Sequence, residues 1–330
     1  MKSFKNIWRR LAKALAVLAG VILLCLAGLK LYLDHTYFSG YDPSAPLNIQ
    51  VAETKELPSF RWTKFYYDGF RGNRVPAVMS VPKERPGPFP CVIFLHGIGD
   101  NKDFMAKNKL DEPFIQAGFA FACFDQLMRG ERKRKYEDKA AEAEAFRVRA
   151  AHTVNDTRRL IDYLMTRPDI ATNRIYLVGG SYGAITGTTA AAFDERIRAV
   201  ALIYGGGNLR KLLSAEMIRN ELGNWTLPAN LVAWYFGSVF DPVNYIGRIS
   251  PRPILLQNGK ADTLVSPAAA KALQDAAKEP KTILWYEGDH LGKTRDLDMA
   301  VTVHVLADTL MFLKSADTQI QAASGKLRSP

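Results

Sequence analysis

From residue 60 onward, short apolar runs alternate with stretches of helical spacing. The runs are "PCVIFLH" (90–96), "FAFACFD" (119–125), "RIYLVGG" (174–180), "AVALIYGG" (199–206), "PILLQNG" (253–259) and "TILWYEGD" (282–289). Each is too short for a typical helix and too uniformly apolar for a half-exposed strand, so each predicts a strand buried on both faces. Ahead of them, "FRWTKFYYDGFRGNRVPAVMSVP" predicts two strands joined by a Gly/Asn turn. The intervening "VNDTRRLIDYLMTRP", "SYGAITGTTAAAFDE" and "SPAAAKALQDAAKE" predict helices. The first must end by Pro168, and Pro267 suits the opening turn of the third. Strands alternating with helices in this way make a mostly parallel, doubly wound eight-stranded α/β sheet.

Two stretches break the alternation. Residues 126–150 are densely charged and helical in composition, and read as a solvated excursion. Residues 208–250 carry Trp225, Trp234, Tyr235, Phe236 and Phe240 between two strands. They read either as a lid-like insertion, with Trp225, Trp234 and Phe236 lining a substrate pocket, or as a helical subdomain whose aromatics pack on themselves. The chain turns polar after Leu313, which predicts a flexible tail at 316–330. The main domain is thus expected over 59–315, after a linker at 34–58.

The N-terminus has a different character. Residues 14–33, "ALAVLAGVILLCLAGLKLYL", are apolar except for Lys30, and Lys2, Lys5, Arg9, Arg10 and Lys13 precede them. This predicts a basic cytoplasmic flank at 1–13, a single transmembrane signal anchor at 14–33 contacting the lipid bilayer, and a domain outside the cytoplasm. A cleaved signal peptide is the alternative, but no small-x-small site follows the run. Part of the net charge of +11 is therefore a topology signal, and no nucleic-acid-binding motif accompanies it. The three cysteines form neither a disulfide framework nor a metal spacing, although a Cys91–Cys123 bridge stays open.

Candidate chemistry centres on "GGSYG" at 179–183, a G-x-S-x-G between a predicted strand and a predicted helix. A serine on so tight a turn needs flanking glycines, here Gly179 and Gly183, and its hydroxyl needs a base oriented by an acid. Of five histidines, His290 follows the last strand, and Asp262 follows the strand before it. Ser181, Asp262 and His290 then leave one edge of the sheet in nucleophile–acid–base order. Asp289 is a rival acid, poorly placed because it adjoins His290. "HGIGD" at 96–100 offers a second oxyanion donor, so the backbone N–H groups of Ile98 and Tyr182 are the expected pair. His96 is expected to be structural. No dinucleotide fingerprint, phosphate loop or H-E-x-x-H occurs, so neither cofactor nor metal is expected.

With "HGIGD", "DQLMRGE", "GGSYG", "DERIRAVALIYGG", "PRPILLQNGKADTLVSP" and "EGDH", residues 60–313 resemble the α/β-hydrolases. The similarity is greatest to the dienelactone-hydrolase, acetyl-esterase and prolyl-oligopeptidase catalytic-domain branches. It implies an α/β-hydrolase fold and the triad Ser181, Asp262 and His290. One departure is Ala184, where the family usually has Gly. Another is that no β-propeller length precedes the domain, which disfavours a size-gated oligopeptidase. The expectation is a membrane-anchored serine esterase acting on a small-molecule ester. A peptidase of short peptides and a non-catalytic binding protein of the same fold are the alternatives.

Overall fold

The computed structural model describes residues 2–292 and 298–326. The chain divides into two compact units, Met1–Ser39 and Gly40–Pro330. The first is a single helix, α1 (Lys2–Thr36). Over Asn6–Thr36 it reaches a mean hydropathy of 2.5, long and apolar enough to cross a bilayer. Lys30, the one charge in the predicted span, pairs with Asp34 one turn later at 2.7 Å.

Among the described residues, the second unit is built on a single sheet of nine strands. These are β1 (Gln50–Glu56), β2 (Phe60–Asp68), β3 (Arg74–Pro82), β4 (Phe89–Leu95), β5 (Ala120–Phe124), β6 (Ile170–Gly180), β7 (Ile197–Ile203), β8 (Ile254–Gly259) and β9 (Lys281–Tyr286). Their order is β1-β2-β3-β5-β4-β6-β7-β8-β9. The six strands from β5 to β9 run parallel, and β1, β2 and β3 add an antiparallel edge. The helices that follow α1 are α2 (Phe104–Lys107), α3 (Glu112–Gln116), α4 (Lys139–Met165), α5 (Tyr182–Phe193), α6 (Leu209–Leu213), α7 (Glu216–Leu222), α8 (Thr226–Gly237), α9 (Pro267–Ala276) and α10 (Met299–Lys326).

The period-two alternation of each central strand divides its side chains between two helical layers. Tyr176 and Val178 of β6 join Phe114 of α3 and Val305 and Leu313 of α10 in one apolar cluster. Leu177 faces the other way, and a methyl group at Gly187 of α5 would sit 2.7 Å from it. Helix α5 therefore lies directly on the sheet centre. Asp138 caps α4 by accepting from the Ala141 amide, and Ser266 caps α9 by accepting from Ala269 ahead of Pro267.

The structure departs from the sequence reading in four places. The sheet has nine strands, not eight, because β1 lies inside the expected linker. Its sequence QVAETKE is exposed along its whole length, so it carries no apolar signal and is held by pairing with β2. The expected flexible tail is helical as far as Lys326. Ala316 is buried there, and Asp317 accepts from Arg174 at 2.7 and 2.6 Å and from the Tyr176 hydroxyl at 2.7 Å. Stretch 126–150, in which α4 opens as its helical composition suggests, is not wholly solvated, because Gln126 and Arg149 are buried. Finally, the last strand, β9, expected to be buried on both faces, is a partly exposed edge strand with Thr282 and Ile283 exposed. Cys91 and Cys123, whose bridge the sequence leaves open, are buried free thiols, since the register places Cys91 beside Ala120 and Cys123 beside Phe94.

Candidate active site

Ser181 joins β6 to α5 with φ 53° and ψ −114°, a backbone conformation that costs about 1–3 kcal/mol for a residue with a side chain. The surrounding close contacts hold it there. A methyl group on Gly179 would lie 2.4 Å from the Gly183 carbonyl oxygen, and one on Gly183 would lie 1.9 Å from that of Leu95. Both glycines therefore let backbone meet backbone, which brings the α5 N-terminus down onto β4 and β6. The Ser181 amide is fixed in turn by donating to Ile203 O of β7 at 2.8 Å. The family's usual glycine is replaced by Ala184, and its methyl is accommodated by Gly205, where a Cβ would come within 2.7 Å.

The structure brings Ser181, His290 and Asp262 into one hydrogen-bonded chain. His290 Nδ1 lies 2.7 Å from Asp262 Oδ2, and Nε2 lies 2.9 Å from Ser181 Oγ. A carboxylate only accepts, so Nδ1 carries the proton and donates it, leaving Nε2 to accept from the serine hydroxyl. The other Asp262 oxygen accepts from the Leu264 and Val265 amides at 2.9 and 2.7 Å, which fixes the carboxylate plane. Asp262 and His290 are both buried.

The rival carboxylate has a different place. Asp289 accepts from the Thr263 amide at 2.8 Å, from its hydroxyl at 2.9 Å, and from the His290 amide at 2.7 Å. It ties the loop carrying Asp262 to the loop carrying His290. Its position next to His290 in sequence explains this, since the two side chains diverge.

Tyr182 is the first residue of α5, where backbone N–H groups lack intrahelical acceptors and the helix dipole is positive. Ile98 follows β4 and lines the same cavity as Ser181 and His290, a space of about 540 Å³. His96, just before it, is fully buried. Its Nε2 accepts from the Gln126 amide at 3.3 Å and its Nδ1 donates to Gly97 O at 2.8 Å. Burial pushes its pKa down to about 4, so it stays neutral and structural.

Behind this loop, Asp125 accepts from the Lys102 amide at 2.9 Å and from the Glu131 amide at 2.9 Å. A side chain at Gly130, whose φ is +52°, would overlap that carboxylate at 2.1 Å, which accounts for the Arg-Gly turn in "DQLMRGE". Lys102 also pairs with Glu131 at 2.6 Å. Burial pushes the Glu131 carboxyl up, but hydrogen bonds from Lys102 and Lys64 outweigh it and hold the pKa at about 2.

Three residues expected in the pocket are elsewhere. Trp225, Trp234 and Phe236 are 72%, 53% and 42% exposed, and none is among the described residues lining the cavity. Among the described residues of the 208–250 insertion, Met217 of α7 reaches it. The walls come instead from the "HGIGD" loop, α2 and the first turns of α10. Sequence reasoning missed Tyr204, whose ring meets the His290 imidazole edge-on at 5.5 Å. It also missed Arg149, whose guanidinium stacks 4.4 Å over the Tyr182 ring. Neither carries a motif, and "IYGGG" reads as a plain strand ending.

The sequence profile of the acetyl xylan esterases matches residues 43–206, spanning the "HGIGD" loop and the "GGSYG" turn. The fold matches a solved acetyl xylan esterase from Paenibacillus sp. R4 over 87% of this chain and 93% of that one, with a TM-score of 0.68 and 20% identity. The chain has the α/β-hydrolase fold.

Among curated relatives of this chain, the putative hydrolase YtaP of Bacillus subtilis is 26% identical over 58% of the chain and 66% of its own length. Esterase YjfP of Escherichia coli is 25% identical over 69% of the chain and 93% of its own. Other curated relatives are matched over only about half of their length. The profile match ends before Asp262 and His290, so these two residues rest on the geometry alone.

The contacts at Gly183 give a direct test of the turn. Gly183→Ala is expected to destabilise the domain by about 3 kcal/mol or more, since neither backbone can yield without losing sheet bonds. A urea melt of purified protein reads this. An unchanged midpoint would contradict the packing described.

Proposed function

We propose that this α/β-hydrolase is a membrane-anchored serine esterase that cleaves carboxylic esters through an acyl-enzyme. The observation that carries the reading is the continuous chain from Ser181 Oγ through His290 to Asp262, at 2.9 and 2.7 Å. It opens on a cavity and stands on a strained turn at a helix N-terminus.

In this reading, Ser181 Oγ attacks the ester carbonyl while His290 Nε2 takes its proton. Asp262 holds the imidazole through Nδ1 and stabilises the cation that forms. The carbonyl oxygen becomes an oxyanion beside the Ile98 and Tyr182 amides, and the α5 dipole adds to their field. His290 then returns its proton to the departing alcohol. Water, deprotonated by the same imidazole, attacks the acyl-serine and releases the acid. The acetyl xylan esterase profile, esterase YjfP and the similar fold support ester chemistry over peptide cleavage.

Helix α1 is the anchor in this account. Its apolar span and the cations Lys2, Lys5, Arg9, Arg10 and Lys13 before it favour an N-terminus inside and a catalytic domain outside the cytoplasm.

A fluorophosphonate probe tests the chemistry. Wild type is expected to be labelled and to hydrolyse short-chain p-nitrophenyl esters, whereas Ser181→Ala loses labelling and about a thousandfold or more in kcat/KM. A folded wild type that resists the probe would instead favour a non-catalytic binding protein. For the anchor, the full-length chain is expected to stay in the membrane fraction through a high-salt wash. Recovery as a shortened soluble form would mean that α1 is cleaved.

A further inference from the structure

The cavity that holds Ser181 and His290 carries one carboxylate that the mechanism above does not use. Among the described residues lining it, Asp100 is the single Asp, Glu, Lys or Arg. Much of the wall around it is apolar, with Phe94, Phe104, Met105, Leu110 and Leu306. Asp100 is also close to the reacting serine. A methyl group placed on Gly97 would lie 3.0 Å from Asp100 Oδ2 and 3.7 Å from Ser181 Cβ. Carboxylate and nucleophile thus border the same small space, which the missing side chain of Gly97 keeps open.

Other acids around the site are tied into the structure. Asp125, Asp262 and Asp289 each accept two or more hydrogen bonds. Asp100 differs. It is bonded through its backbone, the amide donating to Gly97 O at 3.2 Å, while its carboxylate accepts from no described residue. The residue is half-buried, so its side chain stays open to the cavity. Burial pushes its pKa up, and Arg129, too far away for an ion pair, offsets only part of this.

An anion that the protein leaves without a partner in a mostly apolar cavity is complementary to a cation brought by the ligand. The rings of Phe94 and Phe104 add to the match, because aromatic faces attract ammonium groups. The chemistry favours the same occupant. Beside the oxyanion formed at Ser181, an unpaired carboxylate opposes the developing charge, and a bound cation cancels that opposition. We propose that Asp100 is a specificity residue, and that the substrate is an ester carrying an ammonium group a few atoms from its scissile carbonyl. This rests on the esterase reading above and names its substrate class.

Two pairs of esters, each pair matched in shape, test this with the full-length protein in detergent. Butyrylcholine and neohexyl butyrate place the cation, or its neutral isostere, in the alcohol half. The p-nitrophenyl esters of γ-trimethylammoniobutyrate and of its carbon isostere place it in the acyl half. In at least one pair, Asp100→Asn is expected to lower the cationic-to-neutral ratio of kcat/KM by about tenfold or more, the scale of a partly shielded ion pair. Comparing this ratio between the two proteins cancels the intrinsic reactivity of each ester. Partial loss of fold lowers both members of a pair alike and leaves the ratio unmoved. The pair that responds identifies the half of the substrate that bears the cation.

A ratio that Asp100→Asn leaves unchanged or raises in both pairs overturns the subsite. Hydrolysis of none of the four esters by a protein whose Ser181 still reacts with fluorophosphonate overturns this substrate class alone. Failure of both hydrolysis and labelling overturns the esterase reading itself.

Discussion

The close approach of the α5 N-terminus to β4 and β6 is the constraint on which the rest of the site depends. Two positions without side chains, Gly179 and Gly183, let backbone meet backbone there, and the chain between them has no room to relax. Ser181 is left in a strained conformation with its hydroxyl raised above the sheet edge. The sheet supplies the opposing stability. Five parallel strands, β4 to β8, buried between two helical layers give a core able to hold about 1–3 kcal/mol of local strain.

Once the serine is fixed, the remaining groups need only be delivered to the same edge, and parallel topology does this without further design. Asp262 leaves β8 and His290 leaves β9, so both loops emerge beside the turn after β6. Small polar ties then set the geometry. Asp289 clamps the two loops together, and the Leu264 and Val265 amides orient Asp262. On the other side, Asp125, Lys102 and Glu131 brace the loop that carries Ile98. These ties concern orientation more than stability, because a 1 Å error at the base would cost more than any one of them contributes.

What could be read in the sequence follows from where each signal is written. The buried strands and α5 were legible because complete burial demands uninterrupted apolar residues and a tight turn demands glycine. The order of Ser181, Asp262 and His290 was legible because each ends a readable strand. Strand β1 was not, since an exposed edge strand held by backbone pairing imposes no apolar pattern. The last turns of α10 looked like a frayed tail because Asp317 meets its partner Arg174 from 143 residues away. The aromatics of 208–250 suggested a pocket by composition alone, yet Trp225 and Trp234 face outward. Tyr204 left no trace, since a ring packed edge-on against His290 is visible only in three dimensions.

The central claim is that an acyl group passes through Ser181. Mixing the full-length protein with a p-nitrophenyl ester and quenching in acid within milliseconds tests it most directly. The account requires a burst of about one equivalent of p-nitrophenol and a matching mass increase on the peptide that contains Ser181. Steady hydrolysis without any adduct, or an adduct on another residue, would contradict it.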